Sequence, residues 1–497
     1  MILFQGDWFM AVDAPAELVS SDQLRGELDV VSWLELHHGL VLRVVAAPVR
    51  GAGGVVLLTD RDQPTASDGM ALTYEFLTAT APTTPAWTIH GIRFVNEGPW
   101  GRFFRVRAES DIMASVGLRA SAASSGVPVL GDREHGGESW PRLALHCTGL
   151  DHAWLGQTIK APLPLSFAAV ASGSDPSYAL CRDRRGEWLK SITDAFRAVH
   201  RDEIPGLPAA VDVYGPWFDA VWFDEDTDPA TAQAKLAPLL DEIIAAHGCR
   251  GGTLRIHRRN PHQRSLVIET HIVGESPPAR FTVYEHGLLY EISLTETQHT
   301  GLFLDQRDTR RRLGLVADGR RLVNLFAYTC SFSAVAVASG AEVAVSVDLA
   351  RACLEIGKTN FALNGLSGGG RGKFVREDVR KWLARQTRRL SDNPARHLPW
   401  DLVVCDPPVF ASSKEGGRFS VEKEWAGLAR ASAELLGPHG AAVFANNHRG
   451  GDHQRYRDQL AVVFAGVEDL AQPLDFPRLP GQPIHVRTFW CERHLSL

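Results

Sequence analysis

Several things are missing from this 497-residue sequence, and each absence excludes a class of protein. There is no run of about 18 apolar residues, so no membrane-crossing helix is expected. The start, Met1-Ile-Leu-Phe-Gln-Gly-Asp7, has neither a basic n-region nor a long apolar stretch, so no secretory signal is expected. Clustered cysteines are missing too. The seven, at positions 147, 181, 249, 330, 353, 405 and 491, are odd in number and widely spaced. That spacing suits neither a disulfide framework nor a zinc site, and points to a reducing cytoplasm with no structural metal. An excess of positive charge is also lacking. The formal charge of −6 disfavours a nucleic-acid partner, but local clusters weaken that objection. Arg250, Arg255, His257, Arg258, Arg259, His262 and Arg264 crowd one stretch, Arg310–Arg312 another, and Arg371, Lys373, Arg376, Arg380, Lys381, Arg385, Arg388 and Arg389 a third. Phosphate binding needs a basic face rather than a basic protein, although each cluster could equally be a solvated helix face.

What is present is the composition of a folded protein, 44% hydrophobic and 22% charged, in a chain long enough for two to four domains. Residues 1–175 read as mainly β: two short strands in Ile2–Asp13, then Val41–Val45, Val55–Leu58, Leu72–Thr78, Trp87–Val95 and Phe103–Arg107. Residues 173–189 read as a connector. Over 190–290 the pattern predicts a β-β-α-β-β module. Its helix, Asp228–Ala246, has Pro229 in the first turn, apolar residues at helical spacing and Gly248 at its end. The hairpin 281–294 turns at His286-Gly287.

From Gly301 apolar strands alternate with helices: strands at 323–328, 343–347, 373–376, 402–405 and 441–445, helices at 332–339, 350–362, 378–389 and 421–436, and a final apolar pair near 462–466 and 484–491. Such alternation predicts a doubly wound parallel sheet over 291–497. Gly-x-Gly-x-x-Gly is missing, which disfavours a dinucleotide fold. An acid, Asp348, nevertheless ends the second strand, where such sheets bind a ribose, and Asp378 ends the third, where it could bond an adenine amine. Leu402–Cys405 reads as a buried strand that must leave the sheet at Asp406-Pro407-Pro408, because two prolines cannot continue it. Asp406 and Phe410 are thereby expected over the ligand-binding end of the sheet.

Two resemblances follow from these residues. The stretches "TGLFLDQRDTRRRL" (300–313), "NLFAYTCSFSAVAVASGAEVAVSVDLA" (324–350), "REDVRKWL" (376–383) and "WDLVVCDPPVF" (400–410) resemble, in order and spacing, the large-subunit rRNA methyltransferases of the RlmI/RlmK family. With "LPAAVDVYGPWFDAV" from the middle module, the resemblance covers about 190–497. It implies a class I (Rossmann-like) methyltransferase sheet that uses S-adenosyl-L-methionine, on rRNA before full ribosome assembly. Carried over residue by residue, it puts Gln306 and Arg307 near the methionine end of the cofactor. Phe326, Tyr328 and Ser331 line the first-strand turn, Asp348 and Leu349 hold the ribose, and Asp378 and Val379 the adenine. Asp406, Pro407, Pro408 and Phe410 face the target base. Cys330 stands where many methyltransferases have glycine and reads as a packing residue. The cytosine-methylating branch has a cysteine after the fifth strand, because carbon-5 must be activated by covalent addition. Here that place reads "VFANNHRGGD" (443–452), with Asn446 and Asn447 and no thiol, which is similar to the guanine-N7 branch. Exocyclic amines stay open as targets, as do a cytosine-C5 enzyme, a non-catalytic RNA-binding or assembly protein and a small-molecule methyltransferase.

Residues 1–172 resemble the RluA-type pseudouridine synthases, through "TYEFLTATAP" (73–82), "GVPVLGD" (126–132), "RLALHCTGL" (142–150) and "APLPLSF" (161–167). The catalytic aspartate's place is taken by Val49, in "AAPVRGAGG" (46–54), and of the family's His-Gln-Ile-Arg only Arg119 survives. A pseudouridine synthase-like domain without catalysis is expected, kept for RNA docking or as a structural relic.

Overall fold

In the computed structural model, residues 2–6, 8–19, 28–61, 69–185, 187–259, 266–297, 299–393, 398–413, 416–448, 451–479, 481–482 and 486–493 are described. The chain divides into two compact units. One comprises Met1–Ser191, Arg201–Ala209 and Ala234–Glu242; the other comprises Ile192–His200, Ala210–Gln233 and Ile243–Leu497.

The first unit runs β1 (Ile2–Gln5), β2 (Phe9–Ala14), α1 (Ala16–Val19), α2 (Val30–His38), β3 (Arg43–Ala46), β4 (Gly53–Thr59), β5 (Ala71–Thr78), β6 (Ala86–Ile89), β7 (Ile92–Trp100), β8 (Phe103–Asp111), α3 (Ile112–Ser115), α4 (Leu118–Ser124), β9 (Leu145–Asp151), β10 (Ile159–Lys160), α5 (Leu165–Ser172) and α6 (Ser177–Arg185). Its sheet has the order β1-β2-β4-β9-β5-β8-β7-β6, with β3 on β4 and β10 on β9. Tyr74, Phe76, Phe94 and Val106 fill its core. The stretch expected as one strand over 87–95 folds as a hairpin instead. His90 (φ 50°) and Gly91 (φ 78°) supply the two left-handed residues that a tight turn needs. The boundary expected at 175 also moves, because α6 occupies the supposed connector and the unit runs on to Ser191.

Next in the chain come β11 (Ala195–Val199), β12 (Ala209–Tyr214), β13 (Trp217–Trp222), α7 (Pro229–His247), β14 (Gly251–Arg259) and β15 (Leu266–Gly274); the five strands form one sheet in sequential order, and the middle of α7, Ala234–Glu242, is counted with the first unit. The caps of α7 are those read from the sequence: the Asp228 side chain accepts from Thr231 N at 3.0 Å, and Gly248 closes the helix at φ 67°. The helix is the crossover that the parallel pair β13–β14 requires. Three strands, not two, precede it. The hairpin β16 (Phe281–Glu285) and β17 (Leu288–Ile292) stands apart as a two-stranded sheet, and Val283, Tyr290 and Ile292 pack into the core of the following domain.

That domain comprises α8 (Arg307–Leu315), β18 (Arg321–Leu325), α9 (Ser331–Ala338), β19 (Val343–Asp348), α10 (Arg351–Leu363), β20 (Gly372–Arg376), α11 (Val379–Asp392), β21 (Trp400–Cys405), β22 (Phe410–Ser413), β23 (Gly417–Ser420), α12 (Val421–Leu435), β24 (Leu436–Asn446), α13 (His453–Ala461), β25 (Gly466–Asp469) and β26 (Arg487–Glu492). The sheet order is β20-β19-β18-β21-β24-β26-β25. It departs from the expected all-parallel sheet at one strand, since β26 runs antiparallel to both neighbours. Consecutive strand residues serve opposite faces: Leu322 and Val404 join one core, Val323, Val403 and Cys405 the other. The strand order reverses between β18 and β21, which opens a crevice at their carboxyl ends.

The basic clusters do not all face outward. Arg255 is buried against Asp219 (2.9 Å), Arg310 is buried on Glu285, and Arg312 forks onto Glu468 (2.8 and 2.6 Å). His262 and Arg264 lie outside the described residues.

Candidate active site

A cavity of about 950 Å³ opens at that crevice, large enough for a nucleoside-sized cofactor and a base together. Of the residues singled out in the sequence, Gln306, Phe326, Tyr328 and Ser331 line it, as do Asp348, Leu349, Asp378 and Val379. So do Asp406, Pro407, Pro408, Phe410 and Asn447. Arg307 and Asn446 do not.

The turn after β18 is held in an unusual backbone. Phe326 (φ 57°), Tyr328 (φ 48°) and Cys330 (φ 62°) are all left-handed without being glycine, at about 1–3 kcal/mol each. Asp348 fixes this turn: its Oδ2 accepts from Tyr328 N (2.9 Å) and its Oδ1 from Ala350 N (2.7 Å). Burial raises its carboxyl above the ordinary value, against the pull of those two amides. Each oxygen keeps a lone pair, so the group can take a vicinal diol. Cys330 is fully buried, with its thiol pushed up to about 12 by burial, in line with packing.

Asp378 caps α11. Its Oδ1 accepts from Arg380 N (3.0 Å) and Lys381 N (3.3 Å), and Arg380 Nη2 donates to Oδ2 at 3.0 Å. Burial works to raise its carboxyl, but the bonds and charge of Arg380 outweigh that and leave it below the usual range. One Oδ2 lone pair remains for an amine.

The corner after β21 carries Asp406, whose carboxyl is pushed up to about 7, first by burial and then by the charge of Asp305, against Arg310. Neither Asp305 nor Arg310 was singled out as a site residue, although both line the cavity. The spacing signal existed: Arg310 is four residues beyond Gln306, on one helical face. Arg310 Nε and Nη2 fork onto Glu285 (2.8 and 2.9 Å) and Nη1 donates to Phe303 O (2.8 Å). Gln306 is buried and donates to Thr488 on β26 (3.2 Å). Arg307, expected at the cofactor, turns the other way. It is fully buried, with Nη1 and Nη2 on Asp475 (2.7 and 3.2 Å), Nη2 on Ala195 O (2.7 Å) and Nε 3.4 Å from Glu285. Its role is to tie β11, the β16–β17 hairpin and the segment around 475 together.

Phe410 is 64% exposed at the start of the β22–β23 hairpin, and Phe303, another rim aromatic, is 40% exposed against Tyr328 (centroids 5.1 Å). Asn446 ends β24 inside the protein, where its Oδ1 accepts from His448 N (2.8 Å); Asn447 is the one that reaches the cavity. Cys405 is fully buried in the sheet, with its thiol raised by burial. Among the described residues Cys353, on α10, is the cysteine that lines the cavity. Burial pushes its thiol up to about 11, and the charge of Asp348 adds to that.

Residues 239–482 match the family model of S-adenosylmethionine-dependent methyltransferases. The chain is 30% identical over 317 residues to the ribosomal RNA large subunit methyltransferase K/L of Shewanella sp. (strain W3-18-1), covering 61% of this chain and 41% of that protein. It is 33% identical over 274 residues to the protein of the same name from Chromohalobacter salexigens, covering 54% and 35%. The chain thus spans well under half the length of these relatives. Among solved structures, SMU.776 complexed with SAH superposes with a TM-score of 0.54 at 23% identity, over 70% of this chain and 88% of that one. A further structure, from Streptococcus mutans, gives 0.50 over the same shares. These likenesses establish the class I methyltransferase fold of the second unit.

Proposed function

We propose that the second unit is an S-adenosylmethionine-dependent methyltransferase acting on large-subunit rRNA, and that it places the methyl group on guanine N7 without a covalent enzyme intermediate. The cofactor reading fits the cavity itself: a carboxylate with free lone pairs at the end of β19, aromatic walls from Phe326 and Tyr328, and acids at the far side. Bound there, the cofactor supplies an electrophilic methyl group on a sulfonium. Asp348 and Leu349 would hold its ribose, Asp378 and Val379 its adenine, and Gln306 would lie toward its amino-acid end.

The choice against carbon-5 of a pyrimidine is carried by one observation: the corner at Asp406-Pro407-Pro408 has no thiol to add to the ring. Cys405 points into the sheet, and Cys353 sits beside Asp348 with a raised pKa. Guanine N7 offers an in-plane lone pair and needs neither covalent activation nor deprotonation. Catalysis then reduces to alignment, which can contribute roughly 7–11 kcal/mol. The base must leave its stack to reach the cavity, which favours rRNA before full assembly. The exposed ring of Phe410 offers it a stacking face, and Asp406 and Asn447 offer bonds to its edge.

The first unit is read as an inactive pseudouridine synthase-like platform for RNA. Val49, in the place of the aspartate, donates its backbone N–H to Tyr74 Oη (3.2 Å), and Arg119 forks onto Asp132 (2.8 and 2.5 Å). Pseudouridine formed by the purified protein would refute this. Mass spectrometry of rRNA nucleosides from a deletion strain tests the main proposal. Loss of 7-methylguanosine is expected; loss of 5-methylcytidine instead, or of no methylated nucleoside, overturns it.

A further inference from the structure

We propose that β15 is an interface between two copies of this chain, which join edge to edge and antiparallel about Thr270 into one continuous sheet. β15 ends the five-stranded sheet β11–β15, and among the described residues no other strand pairs with its outer edge. Its nine residues lie against β14 in one unbroken register, from Gly251 opposite Gly274 to Arg259 opposite Leu266. An edge of that kind displays a row of backbone N–H and C=O groups, and folded proteins commonly blunt it with lysine, proline or a bulge. β15 has none of the three. Instead it turns two isoleucines outward on one face. Ile268 is 37% exposed and Ile272 47%, with exposed Thr270 between them.

The residue order selects the occupant. Ile268-Glu269-Thr270-His271-Ile272 reads the same from either end, apart from the exchange of acid and base. When two copies pair antiparallel about Thr270, each Ile268 falls opposite Ile272 of the other copy and each Glu269 opposite His271. Directly opposed positions have Cβ atoms about 4.5–5.5 Å apart, where apolar, hydroxyl and acid–base pairs all stabilise a sheet. Within one chain the Glu269 carboxylate and the His271 ring stand 3.9 Å apart, too far for a hydrogen bond, and both side chains are 35% exposed. Moving the centre by one residue sets Glu269 against Glu269 or His271 against His271, so the acid and the base fix the register. The twofold pairing uses each edge once and closes at two copies. A nucleic acid suits this edge poorly, because β15 carries an acid and neither lysine nor arginine.

Sedimentation equilibrium of the full chain tests this, and a reversible exchange between monomer and dimer is expected. His271→Glu sets like charges opposite each other in both acid–base pairs, and so does Glu269→Lys combined with His271→Lys. Each should weaken dimerisation about tenfold or more. An equimolar mixture of the two variants again places acid opposite base, and should recover dimers that contain one copy of each. Hydrogen exchange of the wild type needs no variant: the amides of Ile268–Ile272 should exchange more slowly as the protein is concentrated. A chain that stays monomeric, dimers that both variants leave intact, or protection that rises only elsewhere overturns the proposal. So do folded variants whose mixture recovers no dimer, and assemblies that grow past two copies.

Discussion

Arg307 is the fully buried cation that joins Ala195, Glu285 and Asp475. Replacing it with alanine removes three close hydrogen bonds, two to Asp475 and one to Ala195 O, and the charge lying 3.4 Å from Glu285. Asp475 is fully buried, and it loses the guanidinium that forks onto both its oxygens while keeping the bond from Arg197 N (2.8 Å). Breaking a buried pair by deleting one partner costs about 3–5 kcal/mol, because the other charge is stranded. Glu285 is partly spared, since Arg310 still holds both its oxygens. The expected loss is therefore toward the lower end, about 3 kcal/mol, or roughly a hundredfold or more in the folding equilibrium. Urea unfolding followed by tryptophan fluorescence measures it. Asp475→Asn should give a similar loss, and the double variant much less than the sum, because the two residues form one unit. Donor affinity of the folded Arg307→Ala protein should stay within a few-fold of wild type. A variant as stable as wild type that no longer binds the donor would refute the reasoning and return Arg307 to the cofactor.

Asp406 should impose a pH dependence on methyl transfer. With its carboxyl near 7, the carboxylate fraction rises from about a tenth at pH 6 to about nine-tenths at pH 8, so kcat/KM should rise several-fold across that interval and lose the inflexion in Asp406→Asn. Stability moves the other way: a carboxyl raised in the folded state contributes fully below the unfolded value near 3.8, and the contribution is lost as pH rises toward 7. Thermal unfolding of Asp406→Asn should accordingly show a higher Tm than wild type at pH 8 and little difference at pH 4. Asp348→Ala removes the two bonds that hold the β18 turn and the acceptor for a diol, and should weaken donor binding by about 10–100-fold in calorimetry. Cys353→Ser should leave methyl transfer to RNA intact; abolished transfer with unchanged donor binding would revive a covalent route.

Much of the second unit was legible in the sequence because its signals are local. Buried parallel strands read as short apolar runs, prolines mark where one must stop, and an acid at a strand end falls at the ligand-binding edge whatever packs behind it. Direction within a tight turn was not legible. Gln306 and Arg307 are neighbours in one motif, yet one lines the cavity and the other is sealed into an ion network by residues as distant as Ala195 and Asp475. The asparagines were separable in principle: a period of two puts Asn446 and Asn447 on opposite faces, so one wall could not use both. The β22–β23 hairpin and β11 escaped because neither shows clean alternation, and β26 because reversed direction leaves no mark on a buried strand's composition.

The buried Cys330 has a consequence for the helix across from it. A Cβ placed on Gly357 of α10 would come within 2.5 Å of the Cys330 Sγ and 3.0 Å of its Cβ. The two positions share one small volume, and the sulfur fills it from the turn side. An alanine at 357 is thus compatible with this turn only when residue 330 shrinks, so the pair should be exchangeable as a pair and not singly. Sequences with glycine at the first position are free to enlarge the second, and a substitution matrix that scores each site alone would miss the trade.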